Sequence, residues 1–154
     1  MAILRFDSKK RFCSADEVHA AIDAGTGALL GVQLLRHEES ASADAVLACI
    51  ERESLQLEFE DVILWVRIDG ETDCLAFGPF PEWPVSSSVD LSHYAPWKHA
   101  LGKELFRYWE LVCFGKEADG LQFSFGPVGS TTMVQIEGAA GALLTNEVVP
   151  CNTF

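Results

Sequence analysis

The sequence predicts one α+β domain spanning residues 1–154, a mainly antiparallel sheet of about seven to nine strands with two helices near the N-terminal half. Three observations predict it. Leu55, Leu57 and Phe59 alternate with Gln56, Glu58 and Glu60, the period of a half-buried strand. The next run, Val62–Ile68, is apolar at nearly every position, as in a strand covered on both faces. Near the N-terminus, Ser14-Ala15-Asp16-Glu17 has the capping-box pattern that starts a helix.

Each element follows from the same physics. Residues 3–6 suit a short opening strand, followed by a basic turn over 9–11. After the capping box, Val18, Ala21 and Ile22 form one helical face and Gly25 supplies the stop, so a helix is expected over 15–24. Cys13 and Val18 are placed to form the accompanying hydrophobic staple. The stretch 26–36 lacks polar residues at helical spacing, and a buried strand over 28–35 suits it better. A second helix is expected over 44–53, where Val46, Cys49, Ile50 and Glu53 share a face. It leads into a three-stranded meander over 55–78, turned once at Asp69-Gly70.

Residues 78–96 change character. Pro79, Pro81, Pro84 and Pro96, with Ser86-Ser87-Ser88, predict a long irregular connection, too proline-rich for a central strand. It reads equally as a functional loop or as a crossover between sheet segments. A single helical turn over 96–101 follows, with proline at its start and Gly102 after its end. Residues 103–114 fit a helical face through Trp97, Leu101, Leu105, Tyr108 and Val112. Their aromatic and β-branched content, and the turn and alternating strand Leu121-Gln122-Phe123-Ser124-Phe125 that follow, favour a hairpin. Strands over 131–137 and 142–149 complete the chain, separated by a small-residue turn over 138–141.

Charge is the most informative bulk property. The net charge of −12 argues against a nucleic-acid partner, which needs clustered Lys and Arg. Between Glu38 and Asp73 there are eleven acids against Arg52 and Arg67. Six of them (Glu58, Glu60, Asp61, Asp69, Glu71 and Asp73) fall within sixteen residues. Such a face can serve solubility alone, or it can attract a basic partner and speed association. No apolar run approaches the roughly 18 residues that span a bilayer, so no membrane partner is expected. The N-terminal MAILRFDSKKRFC carries its charges after a very short apolar stretch, the wrong order for a signal peptide, and the cytoplasm is the expected compartment.

No catalytic, metal or cofactor signature stands out. Cys13, Cys49, Cys74, Cys113 and Cys151 are odd in number, widely spaced and never C-x-x-C, which reads as buried thiols. Asp69-Gly70-Glu71-Thr72-Asp73 alternates carboxylates, but its glycine is second where a calcium loop has it sixth. His93 and His99 flank Trp97 at a spacing that fits neither H-E-x-x-H nor a zinc finger. Ser86-Ser87-Ser88 lacks a nucleophile elbow, and 126–130 lacks the lysine of a phosphate loop. Phe80, Trp83, Tyr94 and Trp97 cluster around the proline-rich connection, where aromatic side chains serve as interface anchors or pin the loop to the body.

Residues 109–125, WELVCFGKEADGLQFSF, place a Trp-containing strand before a short loop, Asp-Gly and an alternating Leu-Gln-Phe-x-Phe strand. This resembles a pattern of small bacterial β-rich domains, and WVRIDGETDCLAFG is similar to the strand pair that precedes it there. The resemblance covers about half the chain and transfers no catalytic residue. Such domains resemble the acidic immunity partners of bacterial toxins, which implies a non-enzymatic protein that occludes a toxin's active site. The partner-binding residues expected on this reading are Glu58, Glu60, Asp61, Asp69, Glu71 and Asp73, with Trp83 and Trp97 as aromatic anchors. Two alternatives stand beside it. One is a small-ligand protein or enzyme using His93 and His99; the other is a homodimer joined through an exposed strand edge.

Overall fold

A computed structural model describes residues 11–37, 52–68, 74–78, 85–112, 119–127, 131–139 and 142–148. The expected strand over 3–6, most of the expected helix over 44–53, the Asp69-Gly70 turn, and Asp69, Glu71, Asp73, Phe80 and Trp83 lie outside them.

The chain is strand-rich α+β, with two sheets closed around one core. In chain order the elements are β1 (Arg11–Phe12), α1 (Val18–Ala24), β2 (Leu29–His37), β3 (Arg52–Phe59), β4 (Val62–Ile68) and β5 (Leu75–Phe77). They continue with β6 (Val85–Asp90), α2 (Trp97–Ala100), β7 (Leu105–Leu111), β8 (Gly120–Phe125), β9 (Thr132–Ala139) and β10 (Ala142–Val148). The larger sheet has the order β1-β4-β3-β2-β6, with β5 also on β4; the smaller is the meander β10-β9-β8-β7. All pairings are antiparallel except the two-residue β1 on β4.

Register explains which side chains meet. Leu34, Leu55, Val66 and Phe77 lie opposite one another across four strands, as do Val32, Leu57 and Leu64. These face the smaller sheet, whose β8 turns Leu121, Phe123 and Phe125 toward them; all belong to or pack on one apolar cluster. Ring contacts join the layers: Phe59 stacks on Phe125 at 6.4 Å, and Phe77 meets Phe123 at 6.1 Å and the edge of Tyr108 at 5.1 Å. Both helices are short and plug this core, α1 with Val18 and Ala21, α2 with Trp97 and Ala100.

The meander through β3, β4 and β5 is as expected, and residues 105–111 form a strand, so the hairpin reading of that region holds. The helix at 15–24 forms as a 3-10 turn over Ala15–Glu17 leading into α1. Its capping box differs in detail: Ser14 Oγ donates to Glu17 Oε1 at 3.1 Å instead of accepting from the Glu17 backbone N–H, which donates to Ser14 O at 3.0 Å. Three expectations are corrected. Part of the proline-rich connection is a strand, β6, because pairing with β2 runs through backbone groups, and among the described residues β6 takes an edge position. Arg52 and Glu53 begin β3 instead of ending a helix; Glu53 pairs with Arg36 at 3.5 Å and accepts from Leu143 N at 2.9 Å. Arg11, read as part of a basic turn, opens β1.

Cys13 is buried, as its apolar neighbours imply, whereas Cys74 is only half-buried and donates to Asp119 Oδ1 at 3.7 Å. Among the described residues, no helix is long and apolar enough to cross a membrane.

Candidate functional site

The loop Gly25–Ala28, between α1 and β2, joins the two sheets and gathers acids around itself. On one side it holds the β3–β4 turn. Asp61 N donates to Thr26 O at 3.2 Å, Glu60 N donates to Ala28 O at 3.1 Å, and Glu60 Oε1 accepts from Ala28 N at 3.0 Å. On the other side it holds the start of β7. Leu105 N donates to the buried Thr26 Oγ1 at 3.2 Å, Leu29 N donates to Lys103 O at 2.8 Å, and Ala28 forms an isolated bridge with Glu104.

Two glycines with positive φ make the close approach possible. A β-carbon at Gly27 (φ 71°) would stand 2.7 Å from Glu60 Cβ and 3.1 Å from Asp61 Oδ2. One at Gly25 (φ 92°) would stand 2.9 Å from Glu104 Oε1. A side chain at Gly27 is therefore strained by both conformation and space, and one at Gly25 by conformation, since the Glu104 carboxylate can move aside. Glu60, Asp61 and Glu104 thus pack against one four-residue loop, and all three are exposed.

Of the expected partner-binding residues, the structure brings Glu60 and Asp61 together and sets the half-buried Glu58 two positions earlier on β3, opposite Ile63. No described ion pair engages Glu60 or Asp61. Among the described residues, no group of His, Cys, Asp or Glu is arranged to hold a metal ion.

Trp97 is corrected as an anchor. It is 1 % exposed and meets the edge of Phe125 at 6.3 Å, so it belongs to the core. The helical turn expected over 96–101 forms as α2, and it turns the indole inward. The exposed aromatic side chains are elsewhere: Tyr94 before α2, and Phe106 and Trp109 on β7. Arg107 lies between the last two, 5.4 Å from the Phe106 ring centre and 5.8 Å from that of Trp109. Their exposure traces to the strand's register, which slips by one residue between Leu105 and Arg107 and turns Phe106 out.

Beside the acidic loop, the end of α1 and the start of β7 enclose a half-open groove of about 600 Å³. Ile22, Leu105, Phe106 and Pro127 give it apolar walls, and Asp23, Lys103 and Glu104 line it as charged residues. Lys103 Nζ is bound to Thr132 Oγ1 at 2.9 Å, which draws it toward β9. His93 precedes α2 and His99 lies within it; both are exposed, and neither lines the groove.

Sequence reasoning did not single out Asp23 or Glu104. Glu104 lies far along the chain from Glu60 and Asp61, and the only signal was the pair of glycines flanking Thr26.

Protein-family models, curated protein sequences and solved structures were compared with the chain, and none matches it.

Proposed function

We propose that the chain is an acidic cytoplasmic binding protein of the immunity or inhibitor kind, which neutralises a bacterial toxin by covering its active site and catalyses nothing itself. One observation carries the reading. Glu60, Asp61 and Glu104 are exposed on a loop junction fixed by backbone hydrogen bonds, so their negative field has a definite place on the surface. A fixed patch of one sign raises the encounter rate with a surface of the other sign and orients the two. The acids flanking this patch in sequence and the net charge of −12 extend the field. Side chains held by a rigid scaffold also lose little freedom on binding.

The test is association kinetics with the product of a neighbouring toxin-like reading frame, at rising ionic strength. Replacing Glu58, Glu60 and Asp61 together by Lys should slow association at least about tenfold at low salt, with the circular dichroism spectrum unchanged. An on-rate indifferent to salt would remove steering from the reading.

A homodimer through β6 is the second reading. It is favoured by the edge position of that strand among the described residues, where residues 87–90 are all exposed. Light scattering at two protein concentrations separates it from a monomer.

A further inference from the structure

We infer that the groove between α1 and β7 receives an arginine side chain of a basic protein partner. This deepens the binding reading above and rests on it. The groove is lined by two carboxylates, Asp23 and Glu104, together with apolar Ile22, Leu105 and Pro127. Lys103, the lysine that lines the groove, is bound to Thr132, and the last turn of α1 contains no basic residue. Negative charge beside apolar side chains suits a cation carried on a hydrocarbon stem.

Arginine fits better than the other cations. A guanidinium is planar and weakly hydrated, pairs with a carboxylate through two parallel hydrogen bonds and lies flat on aromatic rings. Phe106 borders the groove, and the Arg107 guanidinium lies 5.4 Å from its ring centre, the same kind of cation–π contact that a partner's arginine would make. A divalent ion would need several converging oxygen ligands, and the described residues hold no such group. An anion would meet two carboxylates. The groove also adjoins Glu60 and Asp61 through the Gly25–Ala28 loop, so a partner steered to those acids reaches it without reorienting.

The probe is acetyl-Gly-Arg-Gly-amide, titrated into the ¹⁵N-labelled protein, with the citrulline peptide as its uncharged isostere. The expected result is saturable shifts at the amides of residues 22–23, 103–106 and 126, absent with citrulline. Asp23→Asn combined with Glu104→Gln should weaken the arginine peptide by about fivefold, the range of an exposed ion pair. Glu60→Gln with Asp61→Asn should weaken it less than twofold. Equal shifts with citrulline would overturn the inference, as would shifts spread evenly over remote acids such as Asp16 and Glu147. Loss of arginine binding with salt-dependent toxin association intact rejects the groove alone. Groove binding with salt-independent association rejects steering alone.

Discussion

The two sheets share an inner face and part company on their outer ones. On the larger sheet, the outward row Gln33, Gln56 and Trp65 runs across three strands beside Leu35, Ser54 and Ile63. Leu35, Ser54, Gln56, Ile63 and Trp65 are all buried, Trp65 to 6 % exposure. On the smaller sheet the corresponding row is Trp109, Gln122, Gln135 and Asn146. There Trp109 remains 40 % exposed and Leu144 49 %. The polar groups differ in the same sense. Gln122 Nε2 donates to Gln135 Oε1 at 2.8 Å and Gln135 Nε2 to Glu137 Oε1, whereas Gln33 Oε1 and Gln56 Oε1 are buried with no hydrogen-bond partner. A closed face stabilises through burial and tolerates a few unmet polar atoms. An open face bonds its amides to one another and leaves aromatic surface available to a partner.

The strongest way to break this contrast is to truncate one tryptophan on each face. Trp65→Ala should cost about 3–5 kcal/mol, the range for deleting a buried indole. Trp109→Ala should cost about 1 kcal/mol or less, mostly its contact with Arg107. Urea denaturation measures both, and equal losses would mean that the two faces are not different environments. A sharper comparison uses glutamine. Gln56→Leu removes a buried oxygen that lacks a partner and should stabilise by about 1 kcal/mol. Gln122→Leu removes a made hydrogen bond and should destabilise by about 0.5–1 kcal/mol. The same substitution is expected to have opposite signs on the two sheets, so two variants of matching sign would contradict the difference in polar satisfaction.

This contrast was legible in the sequence wherever side chains decide the structure. The unbroken apolar run of β4 announced a strand covered on both faces, and Ile63 and Trp65 are buried opposite Leu64 and Val66. The alternation Leu121, Phe123, Phe125 announced a strand, and those three side chains are buried in the core, with Gln122 half-buried and Ser124 buried between them. Elements fixed by backbone groups were not legible. β6 is Ser-rich and follows three prolines, and it pairs with β2 through amide groups that every residue carries. The acidic junction was half legible. Glu60 and Asp61 stood out as charges, but Glu104 joins them through a loop whose contacts are backbone bonds and two positive-φ glycines. Trp97 misled because an aromatic residue beside prolines looks the same in sequence whether its turn faces solvent or the core.

The edges of the two sheets carry the comparison into pH. On β6, hydrogen bonds from the Ser92 side chain and backbone hold the Asp90 carboxyl below its ordinary value of 3.8, with burial acting weakly against them and His93 assisting. Ser92 Oγ in turn accepts from Val32 N at 2.9 Å, so Asp90 secures the residue that ties the end of β6 to β2. On β7, burial, with the Glu110 charge added, pushes the Tyr108 phenol above 10.0, where it shares a 2.8 Å hydrogen bond with His19. The signs are opposite. A depressed carboxyl contributes stability above its unfolded pKa and loses it as the pH falls through the folded value, below about 3.8. A raised phenol contributes stability below its unfolded pKa and loses it as the pH rises through the folded value, above 10.0. Asp90→Asn should therefore flatten only the acid limb of a urea-midpoint profile, and Tyr108→Phe only the alkaline limb. Both changes should be smaller than either tryptophan effect, because Asp90 is exposed and Tyr108 only half-buried. An acid limb unchanged in Asp90→Asn would show that Ser92 holds the edge of the larger sheet without its carboxylate.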